Sequence, residues 1–372
     1  MKKKNGWSKH VAVSLGGAVL VVAVVAAAAT TPPTVSFIRG IVASTTPPVP
    51  VLDRVAYDKK LLALAHIATS SPWYNAYLQA TTTPIDAKTG LATSTTIRKP
   101  LWPVRTAYPN AGALLPFNRI VAYYGNFYSK GMGVLGQYPE DVMLRMLAST
   151  TAAWAAADPS TPVIPAIHYI VVTAQASAQK DGTYRARMPD SQIDKALALA
   201  EQIHGVVFLD FQVGLSTLPK ELPQYVKYLA MPNVHLGIDP EFSMHGGAKP
   251  GTVIGSFDAT DINYAANFLA ALVKANHIPP KILVVHRFTE DMVTHHKNIT
   301  PLPEVQIVID MDGWGSQAKK IGTYTHVVAA EPVQFTGFKL FYKNDTLPPS
   351  TGLFSPAQVL NLAPAPIYIQ YQ

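Results

Sequence analysis

Four consecutive apolar runs end in residues able to move protons or hold ligands. Phe208-Leu209 leads into Asp210-Phe211-Gln212, and Gly237-Ile238 leads into Asp239-Pro240-Glu241. Val284-Val285 ends in His286-Arg287, and Val308-Ile309 ends in Asp310-Met311-Asp312. A later run carries Lys339 within Gly337-Phe338-Lys339-Leu340-Phe341-Tyr342, and the last carries Gln370. Side chains of a strand alternate between faces, so Asp210 and Gln212 share a face, as do Asp239 and Glu241, and Asp310 and Asp312. A charged group closing a buried apolar strand costs several kcal/mol, roughly, unless it is paired or opens into a cleft. Several such ends together imply one polar pocket.

Two chemistries suit these residue types. Glycosidic cleavage uses two carboxyl groups, one protonated as acid and one ionised. In that reading Glu241 is the acid, with its pKa raised by a partly apolar wall. Asp239 or Asp210 orients it or stabilises an oxocarbenium-like state, and Asp310 is nucleophile or base. Tyr124, Trp314 and Tyr342 supply sugar-stacking surfaces, while His168, Gln212, His286, Asp312, Lys339 and Gln370 contact substrate. A metal-dependent hydrolase of the phosphodiesterase or deacetylase type is the second chemistry, since His168, Asp210, Asp239, His286 and Asp310 are divalent-ion ligand types. No two histidines have a tight ligand spacing, so no metal and no cofactor is expected. A non-catalytic barrel that binds a glycan is the third reading.

Each residue also has a structural explanation. Asp239 before Pro240 can open a turn, Glu241 can be a solvated loop residue, and His286 a bonded core histidine. Asp312-Gly313 is a common turn pair. Lys339, inside an apolar strand, needs a carboxylate, with Asp310 or Asp239 as the expected partner. His295-His296 reads as a solvated loop rather than a metal site.

The elements that must position these groups form an alternating series. β-rich runs occur at 120–124, 163–170, 206–211, 234–238, 282–285, 305–309, 338–342 and 367–371. Helical stretches separate them at 139–156, 191–203, 219–230, 260–276, 316–330 and 356–362, with 287–303 the least helical crossover. Strand–helix alternation implies parallel pairing, and eight units over residues 119–372 imply a (β/α)8 TIM-type barrel, with an open doubly wound sheet as the alternative. Gly131-Met132-Gly133-Val134-Leu135-Gly136 fits G-x-G-x-x-G. Six residues separate it from the first strand, and no acidic ribose ligand ends the next, so it reads as a loop over the barrel mouth rather than a dinucleotide site.

The segment Gly237-Ile238-Asp239-Pro240-Glu241-Phe242, with Val285-His286-Arg287-Phe288, Met311-Asp312-Gly313-Trp314-Gly315, Gly337 to Tyr342 and the terminal Tyr371-Gln372, resembles a group of uncharacterised bacterial exported or envelope-associated proteins. The resemblance covers residues 119–372 and implies a barrel but no particular activity. It departs from the group at Arg287, where Gln is commoner, and in lacking a lipid-anchoring Cys. The Asp239–Glu241 pair also resembles the strand-end acids of TIM-barrel glycoside hydrolases, including those acting on peptidoglycan and chitin-like chains.

Ahead of the barrel, Lys2, Lys3, Lys4 and Lys9 precede an uncharged run from Val11 to Ala29. At a rise of about 1.5 Å per residue the run spans roughly 28 Å, close to a bilayer core. The lysines predict an inside N-terminus and an extracytoplasmic remainder. Residues 1–30 are thus a signal anchor, or a signal peptide cut near Ala26 to Ala29 that would leave the protein secreted. Residues 31–118 read as a Thr/Pro-rich stalk and covering arm, with a short helix over 53–69. Cys is absent from the 372 residues, which excludes disulfides, thiolate metal sites and Cys nucleophiles. The net charge of +7 includes the leader lysines and forms no dense tract, so nucleic acid is not an expected partner. The expected partners are a carbohydrate or cell-wall polymer and, through residues 11–29, a membrane, with the chain a monomer.

Overall fold

A computed structural model describes residues 51–82, 100–350 and 352–372. The apolar run Val11–Ala29 and residues 31–50 and 83–99 of the expected stalk and arm lie outside them. Among the described residues no helix is long and apolar enough to cross a membrane.

Eight parallel strands form the barrel: β1 (Arg119–Gly125), β2 (Val163–Ala174), β3 (Val206–Phe211), β4 (Val234–Ile238), β5 (Lys281–Arg287), β6 (Val305–Met311), β7 (Phe335–Leu340) and β8 (Tyr368–Tyr371). Each pairs with the next, and β1 pairs with both β2 and β8. This ring leaves no strand edge between first and last, which rules out the open-sheet alternative. Helices α1 (Arg54–Leu64) and α2 (Pro72–Thr82) precede the barrel, and the crossover helices α3 (Glu140–Ala157), α4 (Asp190–Gln202) and α5 (Ala259–Asn276) lie between strands.

Several segments differ from the sequence expectation, among them the second strand, which runs on to Ala174, and the helix Pro72–Thr82. The seventh strand is Phe335–Leu340 rather than 338–342, because Asp345 accepts from the Phe341 backbone N–H at 2.9 Å and turns the chain there. The 219–230 crossover is divided into short helical pieces, with Pro219 and Pro223 each near the start of a piece. Over 316–330 the helix Gln317–Thr323 passes into a π-turn, Tyr324–Ala329.

Period-two alternation explains the two cores. Outward residues such as Val121, Ile167, Leu209, Leu283, Ile307 and Ile369 join the helices in one apolar cluster. Inward residues at the amino-terminal half of the strands form a second: Ile120, Ala122, Ala166, Phe208, Ile282, Val284 and Val308. Tyr57 and Leu61 of α1 and Leu115 of the arm close this end. The arm is pinned there by Gln306, whose side chain donates to the Leu115 carbonyl at 2.6 Å and accepts from its N–H at 3.0 Å. Tyr108 donates to Asp58 at 2.7 Å, tying the arm to α1. One step further along each strand, the inward side chains turn polar.

Candidate active site

The first polar step is fully enclosed. His168 on β2, Asp210 on β3, His286 on β5, Asp310 on β6 and Gln370 on β8 each have no solvent exposure. Neighbouring strands bring them together by register: Ile170 pairs with Asp210, Asp210 with Gly237, His286 with Asp310, and Lys339 with Gln370. His168 Nε2 lies 3.2 Å from Asp210 Oδ1, and His286 Nε2 lies 3.3 Å from the same oxygen. His286 Nδ1 stands 3.4 Å from Asp310 Oδ2 and 3.2 Å from Asp312 Oδ2. On its other side His168 Nδ1 meets the Tyr368 hydroxyl at 2.5 Å and Gln370 Nε2 at 3.1 Å.

Room for this layer comes from glycine. A Cβ on Gly237 would stand 2.3 Å from Asp210 Oδ1 and 2.4 Å from His168 Nε2, and one on Gly337 would stand 2.5 Å from Asp310 Oδ1. Neither buried neighbour has space to yield. Gly237→Ala is therefore expected to lower stability by about 1–3 kcal/mol, as overpacked cores do. A chemical denaturation midpoint unchanged from wild type would show that the layer relaxes freely.

The second step opens into a pocket of about 650 Å³ at the carboxyl ends of the strands. Tyr124, Gln212, Asp239, Glu241, Asp312, Trp314 and Lys339 line it. Tyr124 donates to Asp210 Oδ2 at 3.0 Å, and Gln212 Nε2 donates to Asp239 Oδ2 at 3.2 Å. Asp239 directly follows β4 and opens a turn, as Asp-Pro does elsewhere, with its Oδ1 accepting from the Glu241 N–H at 3.1 Å. The Lys339 ammonium sits 2.9 Å from Asp312 Oδ1 and 3.9 Å from the Tyr124 ring centre. Its partner is thus Asp312, not Asp310 or Asp239: Asp312 stands one inward step further along β6, level with the ammonium.

Environment separates the carboxyl groups. Burial lifts Glu241 to about 7, with the negative Asp312 adding to the effect. Burial also holds Asp239 well above the usual carboxylate range, and it raises Asp310. Asp210 feels the same burial, but the charge of the nearby His286 and the hydrogen bond from His168 outweigh it and keep it low. For Asp312, burial is overcome by Lys339 and His286, so its carboxyl is held below the usual range. Burial drops His168 to about 4. His286 is the reverse case: burial opposes its charge, yet Asp210, Asp310 and Asp312 together raise it well above 6.5. At neutral pH the cations His286 and Lys339 are then matched by the anions Asp210 and Asp312, which is how charges survive in a dry interior.

Of the residues singled out from sequence, the layer and the pocket together collect nearly all. His168, Asp210, His286, Asp310 and Gln370 lie beneath the pocket, not on its wall. Trp314 is 52% exposed at the pocket, with the Lys319 ammonium 5.1 Å from its ring centre. Tyr342 lies apart, bonded to the Tyr123 hydroxyl at 2.9 Å and stacked on Tyr371. The G-x-G-x-x-G segment folds against the end of β1. A Cβ on Gly133 would stand 2.4 Å from the Tyr124 carbonyl, so glycine serves close approach here, and Gly131 and Met132 join the pocket wall. Sequence reasoning overlooked Phe242, Phe288, Phe341 and Lys319, which also line it. Phe242 and Phe288 directly follow flagged strand ends, and that adjacency was the available signal.

No protein-family model and no curated protein matches the chain. Among solved structures it is similar to a GH5-4 broad specificity endoglucanase from Clostridium acetobutylicum, at 8% identity over 70% of this chain and 88% of that one, TM-score 0.36. A ruminal GH26 endo-β-1,4-mannanase matches at 12% identity over 69% of this chain and 59% of its own, TM-score 0.33. A Burkholderia cenocepacia dihydropteroate synthase matches at 10% over 69% and 86%, TM-score 0.31. Scores this low, shared by enzymes of different reactions, carry no argument about chemistry. The barrel itself rests on its strand pairing.

Proposed function

We propose that the chain is a glycoside hydrolase acting on an envelope or extracellular polysaccharide. The observation that carries this reading is the pairing, in one open pocket, of Glu241, uncharged up to a pH of about 7, with Asp312, held ionised by Lys339. Glu241 donates its proton to the leaving glycosidic oxygen. Asp312 is the base or nucleophile, a role that its place on the pocket wall supports over the enclosed Asp310. Asp239 and Gln212 orient Glu241 through the bond from its N–H to Asp239 and from Gln212 to Asp239. Trp314 offers an apolar face for a sugar ring. Export through the Val11–Ala29 segment, and retention in the cell membrane if it stays uncut, is part of the same proposal and rests on the sequence alone.

The test is a turnover screen of the full chain on neutral, amino and wall-derived glycans. The acid must be protonated, so cleavage should be nearly level at pH 5–6 and fall about tenfold per unit well above the Glu241 value of about 7. Tight binding of a glycan that stays uncut at every pH would replace the hydrolase with a binding module.

A further inference from the structure

The geometry points to a divalent-metal site in the enclosed layer, made by His168 Nε2, Asp210 Oδ1 and His286 Nε2. It goes beyond the hydrolase reading, which uses none of these three atoms.

All three ligand atoms lie within 4.8 Å of one another. The two nitrogens stand 3.2 and 3.3 Å from the shared carboxylate oxygen. Ligands held about 2.1 Å from one ion stand about 3.0–3.4 Å apart at tetrahedral or octahedral angles, so these spacings fit. A second observation concerns His286. Its contacts with Asp210, Asp310 and Asp312 are close as charge contacts but off hydrogen-bond alignment. Both of its ring nitrogens and both Asp310 oxygens are left without a hydrogen-bond partner, although the residues are fully enclosed. A polar atom buried that way is costly, and one facing another ligand atom invites an ion.

Binding the ion displaces the proton that His286 otherwise carries and leaves both imidazoles neutral. The far nitrogen of His168 meets the Tyr368 hydroxyl, which can accept its N–H, and its ring stacks on Phe208 at 5.1 Å and 8°. The far nitrogen of His286 faces Asp310 and Asp312, and the second oxygen of Asp210 accepts from Tyr124. Such outer partners set ring orientation and ligand basicity. Gly237, having no side chain, lets Asp210 Oδ1 and His168 Nε2 close in together over its backbone. Two imidazoles and one carboxylate favour a first-row divalent ion, with zinc the natural first choice, over calcium or magnesium. With no ligand exposed to solvent, the ion would enter as the chain folds and exchange slowly afterwards.

The experiment measures bound metal, not turnover. Full chain is produced in medium limited for, or supplemented with, zinc or cobalt, then purified and assayed by elemental analysis. About one zinc or cobalt per chain is expected, with a visible d–d spectrum for the cobalt form. His168→Gln and Asp210→Asn should each lose the ion, and Tyr342→Phe, whose hydroxyl lies away from the layer, should keep it. Metal-free wild type after growth in supplemented medium would overturn the proposal, as would an ion retained by both ligand variants. Should those variants not fold, anomalous diffraction at the cobalt edge decides on wild type alone: a peak between His168, Asp210 and His286 supports the site, and a peak elsewhere overturns it. Bound metal without glycan cleavage would refute the hydrolase and leave this inference standing.

Discussion

Glu241→Gln should reduce glycan turnover by about 10²–10⁴-fold, the usual contribution of a general acid, and should make the protein more stable above neutral pH. The two effects share one cause. Folding raises the Glu241 pKa from 4.5 to about 7, chiefly by burial. Below pH 4.5 the group is protonated in both states and contributes nothing. Between 4.5 and 7 the unfolded chain ionises while the folded one does not, so stability falls as pH rises. Above about 7 the full cost is present. A shift of about 2.5 units corresponds to at most about 3 kcal/mol. Gln removes that cost, so the Tm difference between variant and wild type should be near zero at pH 4 and grow to a plateau above pH 8. A Tm difference independent of pH would show that Glu241 is not held protonated by the fold. Turnover in the variant equal to wild type would assign the acid elsewhere.

Lys339→Met should lower stability by about 3–5 kcal/mol at neutral pH, as when one partner of a buried ion pair is removed. That is a large share of the roughly 5–15 kcal/mol that holds a folded protein together. Lys339 is 2% and Asp312 8% exposed, so water cannot replace the lost ammonium. The sign of the pH dependence follows from Asp312, whose folded pKa is depressed. Its stabilising contribution is present above the unfolded value of 3.8 and disappears as pH falls through the lower folded one. The gap between wild type and variant should therefore be level above about pH 4 and narrow only below it. Adding Asp312→Asn to the variant should recover much of the loss. Urea titrations of the single and double variants at two pH values, one above and one below about pH 4, measure all of this, and an equal gap at both would mark the loss as packing rather than charge.

Much of the barrel was legible because inward and outward residues alternate along each strand. That period placed Asp210, Asp239, His286, Asp310 and Lys339 on one face, and their position after an apolar run placed them near one end. Depth was not legible. Asp310 and Asp312 share a face, but two residues along a strand amount to roughly 6–7 Å, enough to put one under the floor and the other on the wall. The choice of Asp312 as partner to Lys339 depended on that depth. The share of Gly237 and Gly337 in the layer was also hidden, since a missing side chain matters only once its neighbours are known. Tyr342 failed to join the site because the chain leaves β7 at Phe341, a turn set by Asp345 five residues after the strand ends.

The balanced charges of the enclosed layer bear on how such a site would change through descent. Altering one member alone strands an opposite charge, so single steps cross a deep fitness trough even in a lineage that no longer needs the chemistry. Drift is confined to compensated pairs, and folding alone can preserve His286, Asp210, Asp312 and Lys339 after turnover is lost. Glu241 and Trp314, which no buried countercharge holds in place, are the positions where selection for a reaction would leave its own mark.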